Sequence, residues 1–141
     1  MKRIIILCSL LCFALSGCNK EVSFSTCQPE DNITQIEVIW VYNWLTYEHM
    51  DIDTFEIISI VPEEQHTVFL ENLYNVSCYR YHGDPFEGFD QNTIRITYLD
   101  GSIELIGART VYYETVAGEW KYPPFYFDNE AFKSFVSLYT D

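Results

Sequence analysis

TIRITYLDGSIELIG, residues 93–107, is the stretch whose reading decides the fold. Ile94, Ile96 and Tyr98 alternate with Arg95 and Thr97, the period of a strand with one face buried. Asp100-Gly101 then suits a two-residue type I′ turn, in which both central positions need positive φ. In that register Tyr98 opposes Ile103 and Ile96 opposes Leu105. These pairs and Ile94 form one apolar face, and Arg95, Thr97 and Glu104 fall on the other. Two antiparallel strands with an apolar face must pack on more structure, so the flanking sequence should supply further strands and helices.

On the N-terminal side, Gly83–Asn92 is rich in turn formers and Val76–His82 reads as a strand. Before it, Pro62 occupies a tolerated first-turn position, with Glu63 and Glu64 at the positive end of a helix running to Tyr74. Phe69, Leu70 and Leu73 form its packed stripe. Thr54–Val61 predicts a strand. The run from Thr34 to Leu45 fits either period, but its β-branched and aromatic residues favour a strand. Ile36, Val38, Trp40, Tyr42 and Trp44 lie on one face and Ile39, Val41 and Leu45 on the other, as in a central strand. On the C-terminal side, Arg109–Ala117 predicts a strand, turned at Gly118-Glu119 into 120–127. Pro123 and Pro124 exclude a regular central strand there. Asp128 caps a last helix whose stripe is Phe132, Phe135, Val136 and Tyr139. The expected fold is α+β: an antiparallel sheet of about five or six strands, with helices near 62–74 and 128–139.

The first residues have a different character. Lys2 and Arg3 precede an apolar run from Ile4 to Leu15, too short to span a bilayer comfortably but right for a signal-peptide core. Leu15-Ser16-Gly17-Cys18 follows and resembles the bacterial lipobox, in which the cysteine thiol receives a diacylglyceryl group and becomes the mature N-terminus. The expectation is a signal peptide at 1–17, lipidation at Cys18 and a single domain at 34–141. A secretory signal cleaved elsewhere and an uncleaved anchor are the alternatives. Residues 18–33 lack a sustained period and read as a flexible tether, able to reach at most roughly 50 Å.

All 21 acidic residues but only six of the eight Lys and Arg follow residue 17, so the mature chain carries a formal charge of −15. That surface repels nucleic acid and anionic headgroups. Membrane attachment must then come from acyl chains, of which two hold firmly where one holds marginally. A hydrophobic content of 48% is too rich for a disordered chain.

Cys8 and Cys12 leave with the signal, and Cys27 and Cys78 remain beside Cys18. Outside the cytoplasm these two are a candidate disulfide, closing a loop of about fifty residues. Catalytic patterns are missing: there is no Gly-x-Ser-x-Gly, His-Glu-x-x-His or phosphate-cradling glycine loop. Cys78 and His82 on one strand would stand roughly 13 Å apart, too far for a dyad. The acidic loop 82–90 lacks the spacing of a calcium loop, and three scattered histidines make no zinc pattern. No catalytic, cofactor or metal site is expected.

CYRYHGDP at 78–85, the hairpin IRITYLDGSIELIG at 94–107 and FYFDNEAFKSFVSLY at 125–139 together resemble small lipoproteins of Gram-positive, often gut-dwelling, bacteria. The resemblance covers roughly residues 36–140. It implies a shared small domain on the outer face of the cell membrane, and it carries over no catalytic residue. The expected role is a non-catalytic interaction or accessory module at the cell envelope, with an envelope protein or glycan as partner. A lipoprotein binding a small molecule or glycan is the alternative. That would need an aromatic pocket involving Trp40, Trp44 or Trp120.

Overall fold

The computed structural model describes residues 20–41, 55–80, 92–109, 111–121 and 123–140. Among the described residues nine strands and two α-helices follow in the order β1 (Glu21–Val22), β2 (Ile33–Val41), β3 (Phe55–Val61), α1 (His66–Tyr74), β4 (Cys78–Arg80), β5 (Asn92–Tyr98), β6 (Ile103–Ile106), β7 (Val111–Glu114), β8 (Trp120–Lys121), β9 (Phe125–Phe127) and α2 (Asn129–Ser137). The fold is α+β. A six-stranded sheet has the order β3-β2-β5-β6-β7-β8, and a second, three-stranded sheet has the order β1-β4-β9. Every described strand pair is antiparallel.

β2 is central, paired with β3 on one side and β5 on the other. Its two faces feed two clusters. Ile36 and Val38 join Ile94, Ile96, Tyr98, Ile106 and Val111 in the main core. Ile39 and Val41 join Leu105 and Tyr112 on the opposite face. Nine-residue helices do not persist alone in water, so burial must hold them. α1 buries Phe69, Leu70 and Leu73 and α2 buries Phe132, Phe135 and Val136 against the main core, at about 2 kcal/mol per side chain. A 3-10 turn at Glu63–Gln65 leads into α1. Asp128 caps α2, its carboxylate accepting from the Ala131 N–H at 2.9 Å.

The central hairpin differs from its expected register. Thr97 opposes Ile103, Ile96 opposes Glu104, Arg95 opposes Leu105 and Ile94 opposes Ile106. The cause is the turn. Tyr98 N–H donates to the Ser102 carbonyl at 3.0 Å and Gly101 N–H to the Tyr98 carbonyl at 2.9 Å. Gly101 has φ +86, and no non-glycine among the described residues has positive φ. The connection is therefore a three-residue loop, a type I turn closed by a left-handed glycine bulge, rather than a two-residue type I′ turn. One residue of slip turns Glu104 onto the core face beside Tyr98 and turns Leu105 away from it. The loop 115–119 repeats the device with Gly118 at φ +77.

Gly101→Ala tests this turn. A Cβ there meets nothing within 4 Å, so its cost is conformational alone. The left-handed φ should lower the unfolding free energy by about 1 kcal/mol, read as a lower urea midpoint with unchanged m.

The expected tether is also corrected. From Glu21 the segment 18–33 is part of the domain: β1 pairs with β4, Glu21 opposite Tyr79 and Val22 opposite Cys78. Phe24 is 4% exposed in the main core. Its ring lies 5.0 Å from Phe127, 5.9 Å from Phe125 and 6.2 Å from Tyr74. Two apolar residues spaced by one polar residue are enough, because the acceptor strand and ring cluster already exist. The domain thus starts near residue 21 rather than 34. Pro123 and Pro124 act as expected, ending β8 and releasing the chain to β9 in the second sheet.

Candidate functional site

The register of the central hairpin creates the most unusual polar cluster. Glu104 is 0% exposed. Its carboxylate accepts from the Tyr98 hydroxyl, from the Cys27 backbone N–H at 3.0 Å and from the Cys27 thiol at 3.4 Å. Next to it, Gln28 Nε2 donates to Ser102 Oγ at 2.6 Å, Asp100 Oδ2 at 2.8 Å and Tyr113 OH at 2.9 Å. Asp100 also accepts from the Ser102 N–H at 2.9 Å and hydroxyl at 2.6 Å. The incoming N-terminal segment is thereby fastened to the hairpin by side chains from both.

The electrostatics follow from burial. Desolvation raises the Glu104 carboxyl above its ordinary range, while the hydrogen bonds from Tyr98 and Cys27 pull the other way. Burial and then the Glu104 charge push both the Cys27 thiol and the Tyr98 hydroxyl up. Cys27 as a residue is exposed, yet its sulfur is turned to Glu104. Asp100 is held below its ordinary value by the hydrogen bonds from Ser102 and Gln28. A nucleophilic cysteine needs a neighbour that favours thiolate. A carboxylate does the reverse, so the trio's chemistry is that of a buried anchor and not of an activated thiol.

A second buried carboxylate, Glu37 on β2, is ion-paired with Arg95 on β5 and accepts from Gln35 Nε2 at 2.7 Å. The Arg95 guanidinium also lies 4.3 Å from the centre of the Phe55 ring. This cluster sits on the sheet face opposite the helices, directly across one strand pair. Its charges are satisfied, as burial demands.

The two candidate disulfide cysteines are not brought together. Both are free thiols. Cys27 is engaged by Glu104, whereas Cys78 is buried in the second sheet between Val22 and Phe127, with burial pushing its thiol up to about 11. His66 on α1 bonds locally, its Nε2–H donating to the Val61 carbonyl at 3.2 Å. Cys18, Trp44, His49 and the acidic loop 82–90, His82 included, lie outside the described residues. Trp40 is half-buried in β2 and Trp120 lies in β8. Among the described residues no group of three or more His, Cys, Asp and Glu could hold a metal ion.

Two surface features remain. Ser25, Thr26, Cys27, Gln28, Pro29, Glu30 and Tyr74 line a broadly open groove of about 480 Å³, with one aromatic ring in its wall. The other feature is β3, an edge strand of the six-stranded sheet among the described residues. There Ile57, Ile58 and Ile60 are 45%, 39% and 58% exposed.

The expected β-rich core did not announce these features. The buried Glu104 depends on the turn type, and Asp-Gly fits both turns. The Gln28 hub lay in a stretch without period. An isolated Phe24 in a polar segment was the one signal that this segment packs. No family model, no curated protein and no solved structure matches this chain.

Proposed function

We propose that the chain is a lipid-anchored extracytoplasmic protein whose domain is a non-catalytic interaction or accessory module at the cell envelope. Residues 2–18 support the anchor: two cations, an apolar run and Leu-Ser-Gly-Cys, in that order. The observation that carries the interaction reading is the exposed apolar edge strand β3. The buried carboxylates Glu37 and Glu104 are committed to Arg95, Tyr98 and Cys27.

Seating follows from the corrected domain boundary. Only Asn19 and Lys20 separate Cys18 from β1. Three residues reach about 10 Å at full extension. A domain anchored at Cys18 therefore sits against the headgroups rather than reaching away from them. Its charge of −15 turns its more acidic surfaces from an anionic bilayer.

Intact-mass measurement of the protein extracted from its native membranes tests the reading. The expected mass is residues 18–141 plus acyl chains, unchanged by reductant because both remaining thiols are free. A mass without acyl groups removes the anchor and the reading with it. A gain of two hydrogens on reduction would establish a Cys27–Cys78 bridge, and with it a rearrangement around Glu104.

A further inference from the structure

The two edges of the large sheet are built differently. The β8 edge has two residues, an exposed Lys121 and Pro123-Pro124 just beyond, all features that discourage strand addition. The β3 edge has seven residues, FEIISIV, with no Lys, Pro or Gly, and three exposed isoleucines. Among the described residues β3 has one strand neighbour, β2. A bulge at Ile58, where the register with β2 shifts, divides the edge into the runs 55–57 and 59–61. Ile57 and Ile60 then lie on the same sheet face, opposite Ile39 and Glu37 of β2. Soluble proteins rarely leave such an edge bare unless it pairs with something.

Charge selects the occupant. No Lys or Arg occurs between Lys20 and Arg80, while eleven Asp and Glu do. Glu63 and Glu64, just after β3, are exposed. The nearest cation across the sheet, Arg95, is held by Glu37. A second copy would bring another −15 to the same place, so self-pairing meets repulsion. We infer that β3 takes, by strand addition, an extended segment of another protein in which apolar residues alternate with Lys or Arg. Backbone ladder bonds supply the affinity. The isoleucine row receives the apolar side chains and the acidic rim receives the basic ones. The inference rests on the interaction reading above and names its partner class.

The probe is the acetylated, amidated peptide Lys-Val-Lys-Ile-Lys-Val-Lys, labelled with fluorescein and titrated with the full chain in zwitterionic micelles. Anisotropy should show saturable binding that weakens with salt, and hydrogen exchange should slow within residues 55–61. Ile60→Lys should weaken binding by roughly tenfold or more. Val116→Lys, the same charge change at an exposed site in the 115–119 turn, should leave it unchanged. The peptide with Glu in place of Lys, and one N-methylated at alternate residues, should not bind. Absence of saturable binding overturns the inference. So does binding that ignores Ile60→Lys or leaves residues 55–61 unprotected, or sedimentation of the chain as a dimer disrupted by Ile60→Lys. Failure here with acyl groups on Cys18 leaves the anchored reading standing on another surface. Binding by a chain without acyl groups removes the anchor and keeps the edge.

Discussion

Phe24→Ala will lower the unfolding free energy of the domain by about 3–5 kcal/mol, the usual cost of deleting a buried phenyl ring. Phe24 belongs to the stretch that composition alone marks as a tether, so the size of the effect decides where the domain begins. The ring is packed edge-on to Phe125 and Phe127 and tilted to Tyr74. Its loss opens a cavity where α1, the second sheet and the N-terminal segment meet. A substitution in a solvated tether would change stability by less than about 0.5 kcal/mol. Domains of this size hold only about 5–15 kcal/mol in total, so the variant should lose a large share of its stability. Urea unfolding of the two chains under one condition reads this directly, with a lower midpoint and unchanged m. A midpoint within error of the parent would return residues 21–33 to the tether and undo the close seating on the membrane.

The contrast with the well-read parts of the chain has a physical origin. Phe69, Leu70 and Leu73 in α1, and Phe132, Phe135 and Val136 in α2, are buried where their 3.6-residue period placed them. Ile36 and Val38 face the main core and Ile39 and Val41 the other cluster, as alternation required. These elements are long enough for their period to show. β1, β4 and β9 have two or three residues each; β4 lies within the strand expected at Val76–His82, but segments this short carry too little period to show that they pair into a second sheet. The hairpin strands were legible and their register was not. Asp100-Gly101 satisfies a type I′ turn and equally a type I turn with a glycine bulge, and the two differ by one residue of register. Every consequence for the polar cluster hangs on that residue, including which of Glu104 and Leu105 enters the core. The separation of Cys27 from Cys78 was illegible for a related reason. Loop length says how much a bridge could stabilise, whereas the sheets decide whether the thiols meet.

Glu104 makes the second large prediction, a stability that falls as pH rises. Its carboxyl has no exposure, and desolvation raises it above the ordinary 4.5 it has in the unfolded chain. Above pH 4.5 the unfolded chain gives up this proton while the folded chain keeps it. The folded state then binds more protons, so stability declines until Glu104 ionises in place. The slope from one such proton reaches about 1.4 kcal/mol per pH unit. The groups facing it do not mimic this below pH 8. Tyr98 and Cys27 are both pushed up and stay protonated, with Lys121 only partly offsetting the effect on Cys27. Asp100, lowered by Ser102 and Gln28, acts in the opposite direction, its contribution being lost as pH falls through its folded value. Glu104→Gln keeps an oxygen where the Tyr98 hydroxyl and Cys27 N–H converge and places its amide by the Cys27 sulfur, but cannot titrate. Its unfolding free energy should therefore change less than that of the parent between pH 5 and pH 8. Glu104→Leu strips the acceptor from all three donors and should cost about 2–4 kcal/mol at pH 5 and less at pH 8, where the parent has itself lost stability. Urea unfolding of the three chains at both pH values separates the contributions. Parallel pH profiles for parent and Gln variant would mean that Glu104 is already ionised in the folded state at pH 5. Its three donors would then outweigh its burial, and the N-terminal segment would be bolted to the hairpin by a full negative charge.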